Sequence, residues 1–253
     1  MALLSLQALS KDFGGLRAVR DVSLDVMPGS IVSIIGPNGA GKSTIFNLIT
    51  GVYVPSAGSI VFGDRHLEGL KPDAVAAAGI MRTFQNIRLF AFMTVLENVM
   101  VGRHARMHAN LLDDALRTPG ARREDDAVRA KAMELLEFVG LSRYVDEWAR
   151  NLPYGMQRRL EIARALAAEP SLLLLDEPAA GTNPAEKQAL MRLVQEIRRR
   201  GVTVVVIEHD MRVVMGVSDE IHVLDQGEQI AHGAPDEVRR NPRVIEAYLG
   251  KGA

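Results

Sequence analysis

Apolar and polar residues alternate with a period of two through Val22, Leu24 and Val26, until Pro28-Gly29 turns the chain. That spacing predicts a half-exposed strand in an antiparallel ribbon. The pattern then changes. Ser30-Ile31-Val32-Ser33-Ile34-Ile35 is short, apolar and rich in β-branched residues, the composition of a strand buried on both faces. Residues 80–84, 172–175 and 202–207 read the same way. Between these runs the spacing becomes helical. Helices are predicted from Lys42 to about Thr50, stopped by Gly51, and over residues 72–78, ended by Gly79. Thr94-Val95-Leu96-Glu97 has the form of a capping box and opens another. Met133, Leu136 and Val139 lie at helical spacing in residues 127–139, which Gly140 closes, and residues 155–168 are amphipathic. Asn183-Pro184-Ala185-Glu186 opens a long helix to Arg200, with Pro at the first helical position and Gly201 past the end. Residues 55–58 predict a turn, 59–62 a short strand, Asp225-Gln226-Gly227 a hairpin, and the tail two short helices. Residues 103–124 are polar and contain Pro119-Gly120, so a helix end and an exposed loop are expected there.

Strands that alternate with helices predict an α/β fold with a mostly parallel sheet and an antiparallel N-terminal β part. The strand-poor segment between them predicts an inserted helical subdomain. The expected organisation is one domain over 1–253, with 1–85 and 166–253 forming the core and 86–165 the insertion. Neither an internal repeat nor a low-complexity tract is present.

Composition narrows the class. At 253 residues and 47% hydrophobic, the chain can bury a large core. Its net charge of −1 offers no basic excess for nucleic acid. Cysteine is absent, which excludes disulfides, thiolate metal sites and a cysteine nucleophile. Residues 1–6 lack the basic and long apolar regions of a signal peptide, and no apolar run approaches the ~20 residues that span a bilayer. A soluble chain is expected, with any membrane role exercised through partners.

Gly36-Pro37-Asn38-Gly39-Ala40-Gly41-Lys42-Ser43-Thr44 fits the phosphate-binding loop G-x-x-x-x-G-K-[ST]. Its glycines allow a tight turn that aims backbone N–H groups at one point, and the helix starting near Lys42 adds its positive end. Lys42 can reach the β- and γ-phosphates of a nucleotide, and the Ser43 hydroxyl can ligate Mg²⁺. The strand before the loop and the helix after it are in the order that a P-loop NTPase core requires. Leu172-Leu173-Leu174-Leu175-Asp176-Glu177 places two carboxylates at the carboxyl end of a buried strand, where α/β sheets bind ligands. Asp176 can hold Mg²⁺ directly or through water. Glu177 can accept a hydrogen bond from an attacking water.

With these residues and four further segments, the chain resembles the ATP-binding subunits of ABC transporters along nearly its whole length. Gln85 in Thr83-Phe84-Gln85-Asn86 stands at the Q-loop. Leu152-Pro153-Tyr154-Gly155-Met156-Gln157 stands at the signature motif, and Gly181, Thr182 and Asn183 lie in the D-loop region. His209 in Glu208-His209-Asp210 stands at the switch histidine. Residues 158–166, the stretch Ala247-Tyr248-Leu249-Gly250 and the 103–124 insertion look like the LivG-type subunits of branched-chain amino acid importers. ATPases of lipopolysaccharide export and of urea or amide uptake look similar in these segments. A non-transport ABC ATPase usually needs tandem domains, long coiled coils or basic arms, and a small-molecule kinase would not account for the signature segment or His209.

The resemblance implies an ATPase using ATP and Mg²⁺. A second ATPase subunit, the same or related, would be its partner, together with two membrane permease subunits and, indirectly, a periplasmic or extracellular solute-binding protein. It also implies a peripheral location on the cytoplasmic face of the inner membrane. Phe13 would stack on adenine, with packing inside the N-terminal sheet as the alternative. Gln85 would contact Mg²⁺ or the attacking water and hinge the helical part. His209 would bond the γ-phosphate, and residues 152–157 would face the ATP of the opposite subunit. The apolar cluster Ile87, Leu89, Phe90, Phe92 and Met93 is either core or a groove for a short helix of a membrane subunit. One departure stands out: the family signature commonly reads Leu-Ser-Gly-Gly-Gln, and Pro153 and Tyr154 replace its Ser and first Gly.

Overall fold

A computed structural model describes residues 1–103 and 119–249. The chain forms two compact units, one from residues 1–82 and 171–253, the other from residues 83–170.

The first unit begins with the antiparallel part. Strands β1 (Leu4–Phe13) and β2 (Leu16–Val26) pair antiparallel. Strand β3 (Ile31–Ile35) then enters the second sheet, and helix α1 (Lys42–Ile49) follows it. Strands β4 (Ala57–Phe62) and β5 (Arg65–His66) complete a four-stranded sheet in the order β2-β1-β4-β5. Helix α2 (Pro72–Ala77) leads to β6 (Ile80–Arg82).

In the second unit, α3 (Val95–Gly102) starts at the capping box read from the sequence: Thr94 Oγ1 accepts from the Glu97 amide and Glu97 from the Thr94 amide. Helix α4 (Pro119–Phe138) and helix α5 (Tyr154–Ala167) pack with it around Val95, Leu96, Val99, Leu135, Leu136, Leu160 and Ile162, all buried. Each such side chain contributes about 1.5–3 kcal/mol by leaving water.

The chain returns to the first unit with β7 (Leu172–Asp176), α6 (Pro184–Arg199), β8 (Thr203–Ile207) and α7 (Met211–Val217). The hairpin β9 (Glu220–Asp225) and β10 (Glu228–Gly233) is followed by α8 (Pro235–Arg240) and α9 (Pro242–Leu249). The six-stranded order is β10-β9-β3-β8-β7-β6, parallel except for β10. Strands β3, β7 and β8 are buried at every position, which is why they read as continuous apolar runs rather than alternating ones. Among the described residues no helix is long and apolar enough to cross a membrane.

Several boundaries differ from expectation. The strand expected over 80–84 ends at Arg82. The loop expected to run through residue 124 is already helical from Pro119, because proline is tolerated in a first helical turn. Residues 104–118 of that expected insertion lie outside the described residues, as does Gly250. Helix α7 carried no start signal beyond Asp210, whose carboxylate accepts from the Arg212 and Val213 amides.

Candidate functional site

The buried strand β3 delivers the chain into the glycine loop, and α1 leaves it. Two glycines are sterically required. A Cβ on Gly36 (φ 152°) would lie 2.1 Å from the Leu224 carbonyl oxygen, and one on Gly41 (φ 99°) 2.6 Å from that of Ala18. Gly41 is the N-cap of α1 and no side chain caps the helix, so its first-turn amides face the loop. Asn38, Gly39 and Ser43 are exposed, Pro37 and Thr44 half-buried, and Ala40 buried. Lys42 is 6% exposed, and its ammonium donates to the carbonyls of Gly36 (2.8 Å) and Pro37 (2.9 Å). Burial lowers the Lys42 pKa, against the opposing charges of Glu177 and Asp176. Both sequence-predicted carboxylates thus act on the Lys42 ammonium through their charge.

Asp176 ends β7, opposite Ile207 in register, and is buried. Arg82 holds it with a 2.6 Å ion pair and donates its other nitrogen to Asn47 Oδ1 at 2.6 Å. Glu177 follows in the left-handed region (φ 45°), an unusual conformation for a residue with a Cβ and one found at functional sites. Its amide extends the ladder to the Ile207 carbonyl (2.9 Å). His209 Nδ1 lies 3.7 Å from Glu177 Oε2, and the imidazole is largely exposed. The first turn of α1 thus supplies an ammonium, and the segments just at and past the ends of β7 and β8 supply an acid pair and an imidazole.

Gly181, Thr182 and Asn183 lie in the segment between β7 and α6. Thr182 Oγ1 donates to the Ala179 carbonyl (2.7 Å). Asn183 has a structural job: its side chain caps α6 by accepting from the Glu186 amide. Phe13 ends β1 and is 40% exposed, with its ring edge-to-face to Tyr53 at 5.1 Å and Lys11 Nζ 5.1 Å from its centroid. Packing inside the sheet is therefore not its environment. At the far end of the chain, Val244 packs into a cluster with Ile35, the residue before the loop. Burial raises the Tyr248 pKa, opposed by the Gly36 amide that donates to the hydroxyl.

The other candidates lie in the second unit. Gln85 is exposed at its side chain, and its carbonyl accepts from Arg158 (2.8 Å). Pro153 is the N-cap of α5, and Gln157 Nε2 donates to the Leu152 carbonyl (2.8 Å). Tyr154 and Gly155 open the first turn, and the Met156 and Gln157 amides that follow donate to the Pro153 carbonyl (2.9 and 3.0 Å). Tyr154 and Pro153 are exposed, Gly155 and Met156 half-buried and Leu152 buried. The apolar cluster is not core: Phe90, Phe92 and Met93 are exposed, with Trp148 beside Phe92 (centroids 6.1 Å). Arg150 lies over both rings, at 4.7 and 4.4 Å.

Residues missed in the sequence are Arg82, Glu208 and the pair Arg158–Glu161. Each left a trace: an arginine inside an apolar run, an acid directly after one, and an i,i+3 pair in an amphipathic helix.

The chain belongs to the ABC transporter family, whose pattern matches residues 19–180. Residues 228–253 match a second one, the branched-chain amino acid ATP-binding cassette transporter. The high-affinity branched-chain amino acid transport ATP-binding protein LivG of Escherichia coli (strain K12) is 49% identical over 250 residues, 98% of each chain. The lipopolysaccharide export system ATP-binding protein LptB of the same organism is 36% identical over 251 residues, covering 99% of this chain and 98% of LptB. Among solved structures, the ADP conformation of MJ1267, an ATP-binding cassette of an ABC transporter, superimposes with a TM-score of 0.86. It is 34% identical, covering 99% of this chain and 100% of that one.

Proposed function

We infer that this chain is the ATP-hydrolysing subunit of an ABC importer for branched-chain or related amino acids. The arrangement that supports the chemistry is a buried Lys42 on the glycine loop, acted on by the charges of buried Asp176 and of Glu177, with His209 3.7 Å from Glu177. The cargo class follows from the full-length likeness to LivG, which exceeds the likeness to LptB by 49% to 36% identity.

In this reading the loop amides and Lys42 hold the triphosphate, Glu177 accepts a hydrogen bond from the attacking water, and His209 steadies Glu177 and the γ-phosphate. Ser43 and Asp176 would hold Mg²⁺; both offer the oxygen donors it prefers. No cluster of three acidic, His or Cys residues able to hold a metal occurs among the described residues, so phosphate oxygens would supply further ligands. Bound there, the ion would neutralise charge on the phosphates. For Gln85 the resemblance alone supports a role toward metal or water. Phe90, Phe92, Met93 and Trp148 would receive a short helix of a membrane permease, because an exposed aromatic patch of this kind marks a docking surface. The chain would then sit peripherally on the cytoplasmic face of the membrane.

Reconstitution with two permeases, a second ATPase and a solute-binding protein tests this reading. ATP-dependent uptake of leucine or isoleucine is expected; ATP hydrolysis stimulated only by lipopolysaccharide would overturn the cargo assignment.

Phe13 supplies a check on nucleotide binding. Phe13→Ala is expected to weaken ATP and GTP binding alike by about tenfold, the loss of one aromatic stack. Its exposure means that the melting temperature should stay put. Titration of both nucleotides, with a thermal melt, tests the stacking role; unchanged affinity would refute it.

The signature departure yields a second expectation. Pro153 has neither hydroxyl nor N–H, and Tyr154 replaces a glycine. One or two charge-assisted bonds to the partner's ATP are lost, about 1.5–3 kcal/mol each. This chain's own loop, Asp176, Glu177 and His209 are complete. We therefore expect an asymmetric pair in which the site on this chain's loop carries most turnover and the isolated chain hydrolyses slowly. Equal losses from Glu→Gln in either ATPase of the reconstituted complex would refute the asymmetry.

A further inference from the structure

Three acids of the described chain are almost wholly buried: Glu161, Asp176 and Glu208. The first two face Arg158 and Arg82. Glu208, at 0% exposure, is held instead by backbone amides. Its Oε1 accepts from Ala179 (2.7 Å), and its Oε2 from His209 (3.1 Å) and Asp210 (3.3 Å). Burial pushes its carboxyl pKa up, and those amides pull it back. A desolvated carboxylate is costly to keep, so its placement calls for a reason.

The reason lies in where the strands stop. Strands β7 and β8 run parallel up to Asp176 and Ile207, and the ladder takes one more step, from the Glu177 amide to Ile207. The paired register between the two segments ends at Asp176 and Ile207. The Glu208 carboxylate takes over, with one oxygen on the loop after Glu177 and the other on the loop carrying His209. Ala179 is the hub on the first side. Its amide goes to Glu208, and its carbonyl accepts both the amide and the hydroxyl of Thr182. A second tie runs from Lys187 of α6 to Asp210 at 2.6 Å.

We propose that Glu208 is a positioning residue that sets the spacing between Glu177 and His209 and passes the position of Gly181–Asn183 to His209. It touches neither nucleotide nor water in this scheme; it acts through the two loops. The proposal rests on the ATPase reading above, and wild-type turnover in the same assay tests that reading separately.

Glu208→Gln keeps the volume and one acceptor but turns an NH₂ toward backbone donors. In the full chain within its transporter complex, kcat is expected to fall about tenfold or more while KM for ATP stays within twofold, because the glycine loop is untouched. The decisive measurement is a double-mutant cycle with His209→Ala. If Glu208 works through His209, adding Glu208→Gln to His209→Ala should change kcat by less than twofold. A full tenfold further loss in the His209→Ala background overturns the proposal, as does a lowered melting temperature with kcat unchanged. Glu208→Asp, which retains both oxygens, should recover part of kcat; recovery of melting temperature alone would mark a purely structural role.

Discussion

Glu177→Gln is expected to bind ATP as tightly as the wild type and to hydrolyse it about 100- to 10,000-fold more slowly, the usual range for removal of a general base. The amide keeps size and hydrogen-bonding reach but loses the negative charge that polarises water. The backbone should not change, because the conformation at Glu177 is imposed from outside the side chain. Its amide is bonded to Ile207, and the next loop residues are pinned through Ala179 to Glu208. Lys42 senses the charge of both Glu177 and Asp176, so the substitution also removes one of two negative charges near the ammonium. That favours retention of the anionic substrate, and the variant should accumulate with ATP bound. Single-turnover hydrolysis with a parallel binding titration separates the steps. Hydrolysis within threefold of wild type would take Glu177 out of the reaction; loss of binding would show that it serves the fold instead.

The parts of this site legible in the sequence are those whose chemistry is local in the chain. The glycine loop could be read because its geometry needs Gly at fixed offsets, and Gly36 and Gly41 do have carbonyl oxygens where a Cβ would go. Strands β3, β7 and β8 could be read because burial on both faces leaves an unbroken apolar run. The capping box at Thr94 and the Asn183–Glu186 box were equally local. What escaped were pairings between distant segments. Arg82 meets Asp176 across 94 positions, and nothing near either residue marks the other. Glu208 looked like a polar residue at a strand end, since its amide partner Ala179 lies 29 positions away. The start of α4 at Pro119 was missed for a different reason: Pro-Gly signals a turn by composition, yet proline fits a first helical turn without cost.

Arg158→Ala should be the most destabilising single change among the polar residues of the second unit. The guanidinium is 1% exposed and makes four contacts: the Phe84 carbonyl (2.6 Å), the Gln85 carbonyl (2.8 Å), the Tyr154 hydroxyl (3.1 Å) and Glu161 Oε2 (2.8 Å). Glu161 in turn accepts from the amides of Phe84 (3.4 Å) and Arg88 (3.3 Å). Removing the cation strands a buried carboxylate and leaves two carbonyls without this donor. Breaking one side of such a pair costs about 3–5 kcal/mol, or roughly 6–20 °C in melting temperature for a chain of this size. The same arginine ties residues 84–85 to the start of α5, so stability and function should separate under a second substitution. The double variant Arg158→Met, Glu161→Met removes both charges, and replacement of a buried pair by apolar residues is often neutral or better. Its melting temperature should therefore recover most of the loss. Its ATPase rate in the complex should not recover, because Gln85 and the Leu152–Gln157 segment would no longer share an anchor. A thermal melt of the single variant that falls by less than 2 °C would refute the energetic argument. Recovery of both melting temperature and turnover in the double variant would show that the pair serves stability alone and does nothing for Gln85.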